Sequence, residues 1–154
     1  DIGILYEGAL SASLCTERVK LEELVLVGPP SDGLLSMEAV RFDSLSRFPM
    51  ILPGLRHGLR AIVEQAAFRA GIRLDTVIEV ESLPLLLDFV HRGLGYTILS
   101  REVCEPMLDA GQLTAAKITH PVLNRSWVLA WRKDAALSAP AVAMVEAIKK
   151  VLSA

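Results

Sequence analysis

The chain has 154 residues, 52% of them apolar and only 5% aromatic, and its 16 basic and 18 acidic residues leave a net charge of −2. It is long enough for one sizeable core or two small lobes and would bury roughly two-thirds of its unfolded surface. Its charges are spread along the sequence, so it lacks the concentrated positive face that nucleic-acid binding needs, and no apolar run approaches the ~18–20 residues that span a bilayer.

Other classes are disfavoured by what the side chains fail to form. Cys15 and Cys104 are far apart, and His57, His91 and His120 are scattered, so no metal-ligand spacing arises. Two reduced thiols fit a cytoplasmic protein. There is no P-loop, no nucleophile elbow and no GxGxxG after a strand. No titratable pair or nucleophile–base constellation stands out, so neither catalysis, a metal nor a cofactor is expected.

In chain order, residues 1–6 read as a strand with Ile2 and Ile4 on one face. Residues 7–21 are polar and irregular, a loop with a short edge strand. Residues 24–27 are a buried strand stopped by Gly28-Pro29-Pro30-Ser31-Asp32-Gly33, the densest breaker cluster in the chain. Residues 37–47 read as one short helix plus a turn, and residues 50–52 as a short strand. Pro53-Gly54 then turns into a helix over 55–70, whose Leu59, Ile62, Val63, Ala66 and Ala70 share a face, with Gly71 beyond its end.

The segment 77–100, VIEVESLPLLLDFVHRGLGYTILS, is the most informative. Val77, Ile78 and Val80 are a β-branched run suited to a strand. Ser82 stands where a helix N-cap belongs, with Pro84 tolerated in the first turn. Leu83, Leu86, Leu87 and Val90 fall at i, i+3, i+4 and i+7, one apolar face. Gly93 ends that helix, Gly95 permits close backbone approach, and residues 96–99 form a second apolar strand. Strand, helix and strand joined this tightly make a βαβ crossover and imply a parallel sheet. Downstream follow a helix over 102–110 ended by Gly111, and strands over 114–118 and 126–131 separated by a turn. A last helix is capped by Ser138, has Pro140 in its first turn, and carries Ala141, Met144, Val145, Ile148 and Leu152 as its buried stripe. Trp127 and Trp131, four apart on a strand, share a face and suit core or lobe-interface packing.

Open α/β sheets take ligands outside the carboxyl ends of their strands. Three such ends are legible: Leu52 leading into Pro53-Gly54-Leu55-Arg56-His57, Glu81 into Ser82-Leu83, and Leu99 into Ser100. Ser82 has two compatible readings, a cap for its own helix and a contact to an anionic or polar ligand through its hydroxyl and the N–H groups that follow. Arg56 is a candidate for a charge-assisted bond to an anion, against the commoner surface role of a loop arginine. His57 is a further candidate. Tyr6, at the end of the first strand, and Thr97, in the strand after the crossover, complete the set.

EVESLPLLLDFVHRGLGYTILS resembles the second-lobe signature of the LysR-type transcriptional regulators: a Glu-Val-x-Ser strand end, a helix, then Gly-Leu-Gly and a strand. DIGILYE, LEELVLVGPPSDG, FPMILPGLRHGLRAIVEQAAFRAGIRL and NRSWVLAWRKDAALSAPAVAMVEAIKKV resemble other parts of that domain in the same order, although His-Pro often stands where this chain has Asp32-Gly33. The LPGLRHGLR loop is similar to that of the nitrogen-assimilation-control subgroup. The resemblance implies an α/β, two-lobed, periplasmic-binding-protein-like (type II) effector domain, each lobe a mostly parallel sheet with flanking helices. Residues 1–47 would be a partial first lobe, 48–132 the second lobe and 133–154 the return to the first.

The resemblance further implies an effector-sensing domain of a bacterial regulator, with a small molecule in the interlobe cleft and the serine at position 82 in contact with it. Homodimers or homotetramers are implied, and so is promoter binding through a helix-turn-helix domain that lies outside this chain. The family's first strand, helix and strand also have no counterpart here, so the first lobe is expected to be N-terminally truncated. The alternative on the same architecture is a periplasmic solute-binding protein serving a transporter.

Overall fold

A computed structural model describes residues 2–6, 11–30 and 39–152. The strands are β1 (Ile2–Tyr6), β2 (Leu14–Gly28), β3 (Ala39–Arg41), β4 (Pro49–Leu52), β5 (Asp75–Glu79), β6 (Thr97–Ser100), β7 (Thr114–Thr119) and β8 (Asn124–Arg132). The α-helices are α1 (Gly58–Ala70), α2 (Leu83–His91), α3 (Arg101–Asp109) and α4 (Ala139–Leu152), and a 3₁₀ helix covers Phe42–Arg47. The chain divides into two compact units, residues 23–123 and residues 1–22 with 124–154.

The larger unit is organised by the apolar second half of β2. Leu24, Leu26 and Val27 are wholly buried and Val25 nearly so, as a strand covered on both faces requires. This stretch pairs antiparallel with β6 on one side (Leu24↔Ser100 to Val27↔Thr97) and with β7 on the other (Val25↔Lys117 to Gly28↔Thr114). β3 adds parallel to β7. β4 pairs parallel with β5 and, through a Met50↔Tyr96 bridge, parallel with the start of β6. Phe42, Leu45, Met50, Ile51, Leu52, Val63, Ile98 and Ile118 join the buried strand with no exposed surface, each contributing about 1.5–3 kcal/mol by leaving water.

Local chemistry sets the ends of these elements. The His57 ring nitrogen Nδ1 accepts from the Leu59 N–H at 3.2 Å and caps α1. Gly71, at φ 65°, closes the same helix in the left-handed region, where a residue without Cβ is least strained. Gly95 is required for a different reason. Its neighbour Tyr96 exchanges backbone bonds with β4 at 2.7 and 2.8 Å, and a Cβ at 95 would stand 2.6 Å from the Pro49 carbonyl oxygen and 2.9 Å from Ile51.

In the smaller unit β1 runs antiparallel to β8, from Ile2↔Trp131 to Tyr6↔Trp127, and β8 neighbours β2. Ser138 caps α4 as its sequence position suggests, its Oγ accepting from the Ala141 N–H at 3.4 Å. Lys149 ties α4 to β2 through Glu17 at 2.7 Å.

Several elements differ from the sequence reading. The polar stretch before residue 21 is no loop from residue 14 onward: β2 is continuous for 15 residues. Its first half alternates half-buried and exposed positions, which suits a strand with one wet face, and its pairing with β8 joins residues a hundred apart. Residues 7–10 and 31–38 lie outside the described residues. Where a short helix was expected over 37–47, Ala39–Arg41 is a strand and Phe42–Arg47 a 3₁₀ turn; the three-residue strand exists only because β7 supplies its partner. The sheets are mixed rather than mostly parallel, because β2 opposes both β6 and β7 and β1 opposes β8. β5 and β6 are parallel as the crossover implied, but β4 lies between them. On α4, Met144 is 57% exposed and falls outside the buried stripe. The compact units divide at 22/23 and 123/124. The reason is that 24–28 and 39–41 hydrogen-bond to β6 and β7, and 124–132 to β1.

A candidate ligand site at three strand ends

β4, β5 and β6 are mutually parallel, and each is followed directly by a helix, α1, α2 and α3 respectively. Their carboxyl ends therefore lie along one edge of the larger unit, and three helix N-termini begin there. Unsatisfied first-turn N–H groups and aligned peptide dipoles make such an edge electropositive. It is the position at which open α/β sheets take ligands.

The residues at this edge are held by two polar connections. The Gly54 N–H donates to Glu81 Oε1 at 3.0 Å, joining the loop after β4 to the loop after β5. Arg60, only 5% exposed, reaches behind the same loop. It donates to the Pro53 carbonyl at 3.3 Å, to Thr76 Oγ1 at 3.1 Å and to Glu64 Oε1 at 2.7 Å, with Glu79 at 3.6 Å. A buried guanidinium whose donors are spread over four partners fixes their relative positions.

Among the sequence-predicted residues, Gly54, Leu55, Arg56 and His57 line the loop after β4, and Ser82 and Leu83 open α2, so six of the eight meet along this edge. Leu55 is 69% and Leu83 40% exposed; Arg56 and Ser82 are also exposed. Ser82 occupies the N-cap position with φ −83° and ψ 114°, yet its hydroxyl makes no capping bond. His57 is committed to capping α1 through Nδ1, which leaves Nε2 as its outward group.

The remaining two candidates are Thr97, on β6, and Tyr6, on β1. Thr97 is wholly buried opposite Val27, and its Oγ1 has no hydrogen-bond partner. Tyr6 belongs to the smaller unit. There its ring meets Trp127 edge-on at 4.9 Å, and the Arg125 guanidinium stacks over it at 3.9 Å.

Three further residues at or behind this edge were not among the candidates: Glu81, Arg60 and Ser100. Glu81 was legible in outline, standing one position before Ser82 in the strand-end motif. Arg60 stands four residues before its partner Glu64, but its burial depends on β5. Ser100 is the N-cap of α3, 2% exposed, with a hydroxyl that has no partner. A groove of about 690 Å³ on the flank of the unit is lined by Leu55, Arg60, Glu64, Arg73 and Asp75 among others. It shares only Leu55 with the predicted set, and the four charges named here balance. Among the described residues no cluster of His, Cys, Asp or Glu could hold a metal ion, and no helix is long and apolar enough to cross a membrane.

Parallel strands each leading into a helix, with their ends gathered on one edge above loops of small and polar residues, define a ligand-binding α/β architecture of the effector-domain type. The model of the LysR substrate binding domain matches residues 1–153, and the chain belongs to that family. It is 28% identical over 114 residues to the HTH-type transcriptional regulator BbuR of Bordetella bronchiseptica, covering 74% of this chain and 35% of that protein. It is 24% identical over 153 residues to the nitrogen assimilation regulatory protein nac of Escherichia coli, covering 99% and 49%. The chain thus spans about a third to a half of the length of these relatives. Its fold matches that of the Synechocystis CcmR regulatory domain, solved in complex with 2-PG, with a TM-score of 0.87 at 18% identity, covering 99% of this chain and 73% of that one.

Proposed function

We propose that this chain is the effector-sensing part of a bacterial LysR-type transcriptional regulator, and that a small polar or anionic metabolite binds at the edge formed by Gly54–His57 and Ser82–Leu83. The observation that carries this reading is the convergence of three helix N-termini on one strand-end edge, where an exposed Ser82 hydroxyl is left free of its capping duty. The relatives BbuR and nac favour a regulator over a solute carrier, and CcmR, with 2-PG bound, supports a small-molecule effector. Control would be by population shift: the effector biases conformation only to the extent that it binds one arrangement better than another. The domain senses and does not catalyse. In the whole, cytoplasmic protein the readout would pass through a homodimer or homotetramer to a helix-turn-helix domain on promoter DNA.

The test is a metabolite screen by thermal shift on the protein and on Ser82→Trp. A true effector present at 100 times its Kd stabilises the wild type by about 2.7 kcal/mol. The same compound should leave the melting temperature of Ser82→Trp unmoved, while the variant's own melting point stays near that of the wild type because position 82 is exposed. An effector that stabilises both proteins equally would remove the site from this edge.

A further inference from the structure

The edge that three helix N-termini make electropositive is not unoccupied by charge. Glu81 stands in it, and its Oε1 already accepts the Gly54 N–H at 3.0 Å. The fit is close: a Cβ at position 54 would lie 2.5 Å from that oxygen, so a larger residue there would make the carboxylate end shift. Glu79, two residues earlier and the last residue of β5, faces Arg60 at 3.6 Å. Glu81 is therefore the carboxylate that Arg60 does not engage, and it serves the loop amide instead. A carboxylate bonded to a backbone N–H at the mouth of a helix-initiating loop is what an incoming anion would itself become.

We infer that Glu81 is the specificity-determining residue of this edge: it acts as a resident anion on the Gly54 N–H, so the ligand group that docks there is a hydrogen-bond donor or a cation, and an anionic group is rejected. This rests on the proposed site and narrows the ligand it takes. The physical argument has two parts. A second carboxylate or phosphate brought to Gly54 must displace an acceptor that is tethered and already in place. It must also sit beside a like charge, which disfavours it. A hydroxyl or ammonium meets the opposite situation. The second oxygen of Glu81 and the Ser82 hydroxyl are adjacent acceptors on exposed residues. An effector carrying both a carboxylate and a donor group would therefore turn its donor toward this edge.

Inorganic sulfate tests the inference without knowledge of the effector. Pro53-Gly54 is the only Pro-Gly pair in this sequence, so protein labelled with proline carrying a ¹³C carbonyl and with ¹⁵N-glycine reports the Gly54 amide selectively. Sulfate is titrated against chloride at constant ionic strength into the wild type, Glu81→Gln and Glu81→Ala. The wild-type amide should stay unmoved. Glu81→Ala should shift with saturation and bind sulfate at least tenfold more tightly than the wild type, and Glu81→Gln should fall between them, because the amide keeps an acceptor but loses the charge. Unchanged melting temperatures confirm that the variants fold. Equal sulfate responses in the wild type and Glu81→Ala would overturn the role of Glu81. An unresponsive Gly54 amide in Glu81→Ala would overturn the electropositive edge on which that role depends. Neither result depends on whether Ser82→Trp abolishes effector binding, so the two ideas fail separately.

Discussion

Arg125 and Glu22 form a buried ion pair in which Nη2 and Nε of the arginine lie 2.8 and 3.1 Å from the same oxygen, Glu22 Oε2, with side chains 7% and 4% exposed. Glu22 is the last residue of β2 within the smaller unit, and Arg125 is the second residue of the chain that returns to it. The guanidinium also covers the Tyr6 ring at 3.9 Å, so one side chain joins β1, β2 and β8. A pair this dry is costly to form but costlier to halve, because removing one partner leaves an uncompensated charge.

Glu22→Ala should therefore lower stability by about 3–5 kcal/mol, and Glu22→Gln, which keeps an acceptor, should cost less. Urea denaturation followed by the fluorescence of Trp127 and Trp131 reads both. A loss below about 1 kcal/mol for Glu22→Ala, the range of an exposed pair, would show that the aromatic stack alone holds Arg125.

Two glycines in the larger unit should respond in opposite senses. Gly95→Ala drives a Cβ against the Pro49 carbonyl and Ile51 at 2.6 and 2.9 Å. Overpacking there should cost about 1–3 kcal/mol and weaken the β4–β6 contact. Gly58→Ala meets nothing within 4 Å at the first position of α1 and should gain about 0.4–1 kcal/mol from a less mobile unfolded chain. Denaturation midpoints of the two single variants decide the matter; a destabilised Gly58→Ala would contradict the open space described.

Cys104 should be inert in the folded protein. Burial pushes its thiol up to about 11 from 9.0, against a small opposing effect of the Arg101 charge. Its S–H donates to the Ser100 carbonyl at 3.3 Å. Only the thiolate reacts, so Cys104 should escape alkylation at pH 8 until the protein unfolds, as mass mapping would show. The sign of the pH effect follows. Between about pH 9 and 11 the unfolded chain has lost this proton and the folded protein keeps it, so stability falls as pH rises through that window. Cys104→Ala should flatten that fall. An unchanged slope would assign it to other groups.

The local features proved legible because each has a chemical cause within a few residues. Ser138 caps α4, Gly71 closes α1 and Gly93 adopts φ 76° after α2. Leu86 and Val90 are the buried face of α2. Gly95 is a close-approach position. Six of the eight candidate ligand residues fall on one edge for the same reason, since strand-end loops announce themselves by Pro, Gly and Ser. What failed were elements whose partner is distant. The first half of β2 is polar and gains its strand from β8; Ala39–Arg41 gains its strand from β7.

By itself the sequence determined the family, the strand–helix–strand order of the larger unit and the Pro-, Gly- and Ser-bearing loops at its strand ends. Period, caps and breakers act over one or two turns, and they survive in the order of residues. Only the tertiary structure decided that β4 stands between β5 and β6, that Thr97 is sealed in the sheet, that Arg60 and Arg125 are buried and partnered, and that Glu81 lies on Gly54. Those facts are hydrogen bonds and burial between different elements, among them Gly54 with Glu81, 27 residues apart, and Arg125 with Glu22, 103 apart. Such contacts depend on which strands lie side by side, and no local preference of a single segment encodes that choice.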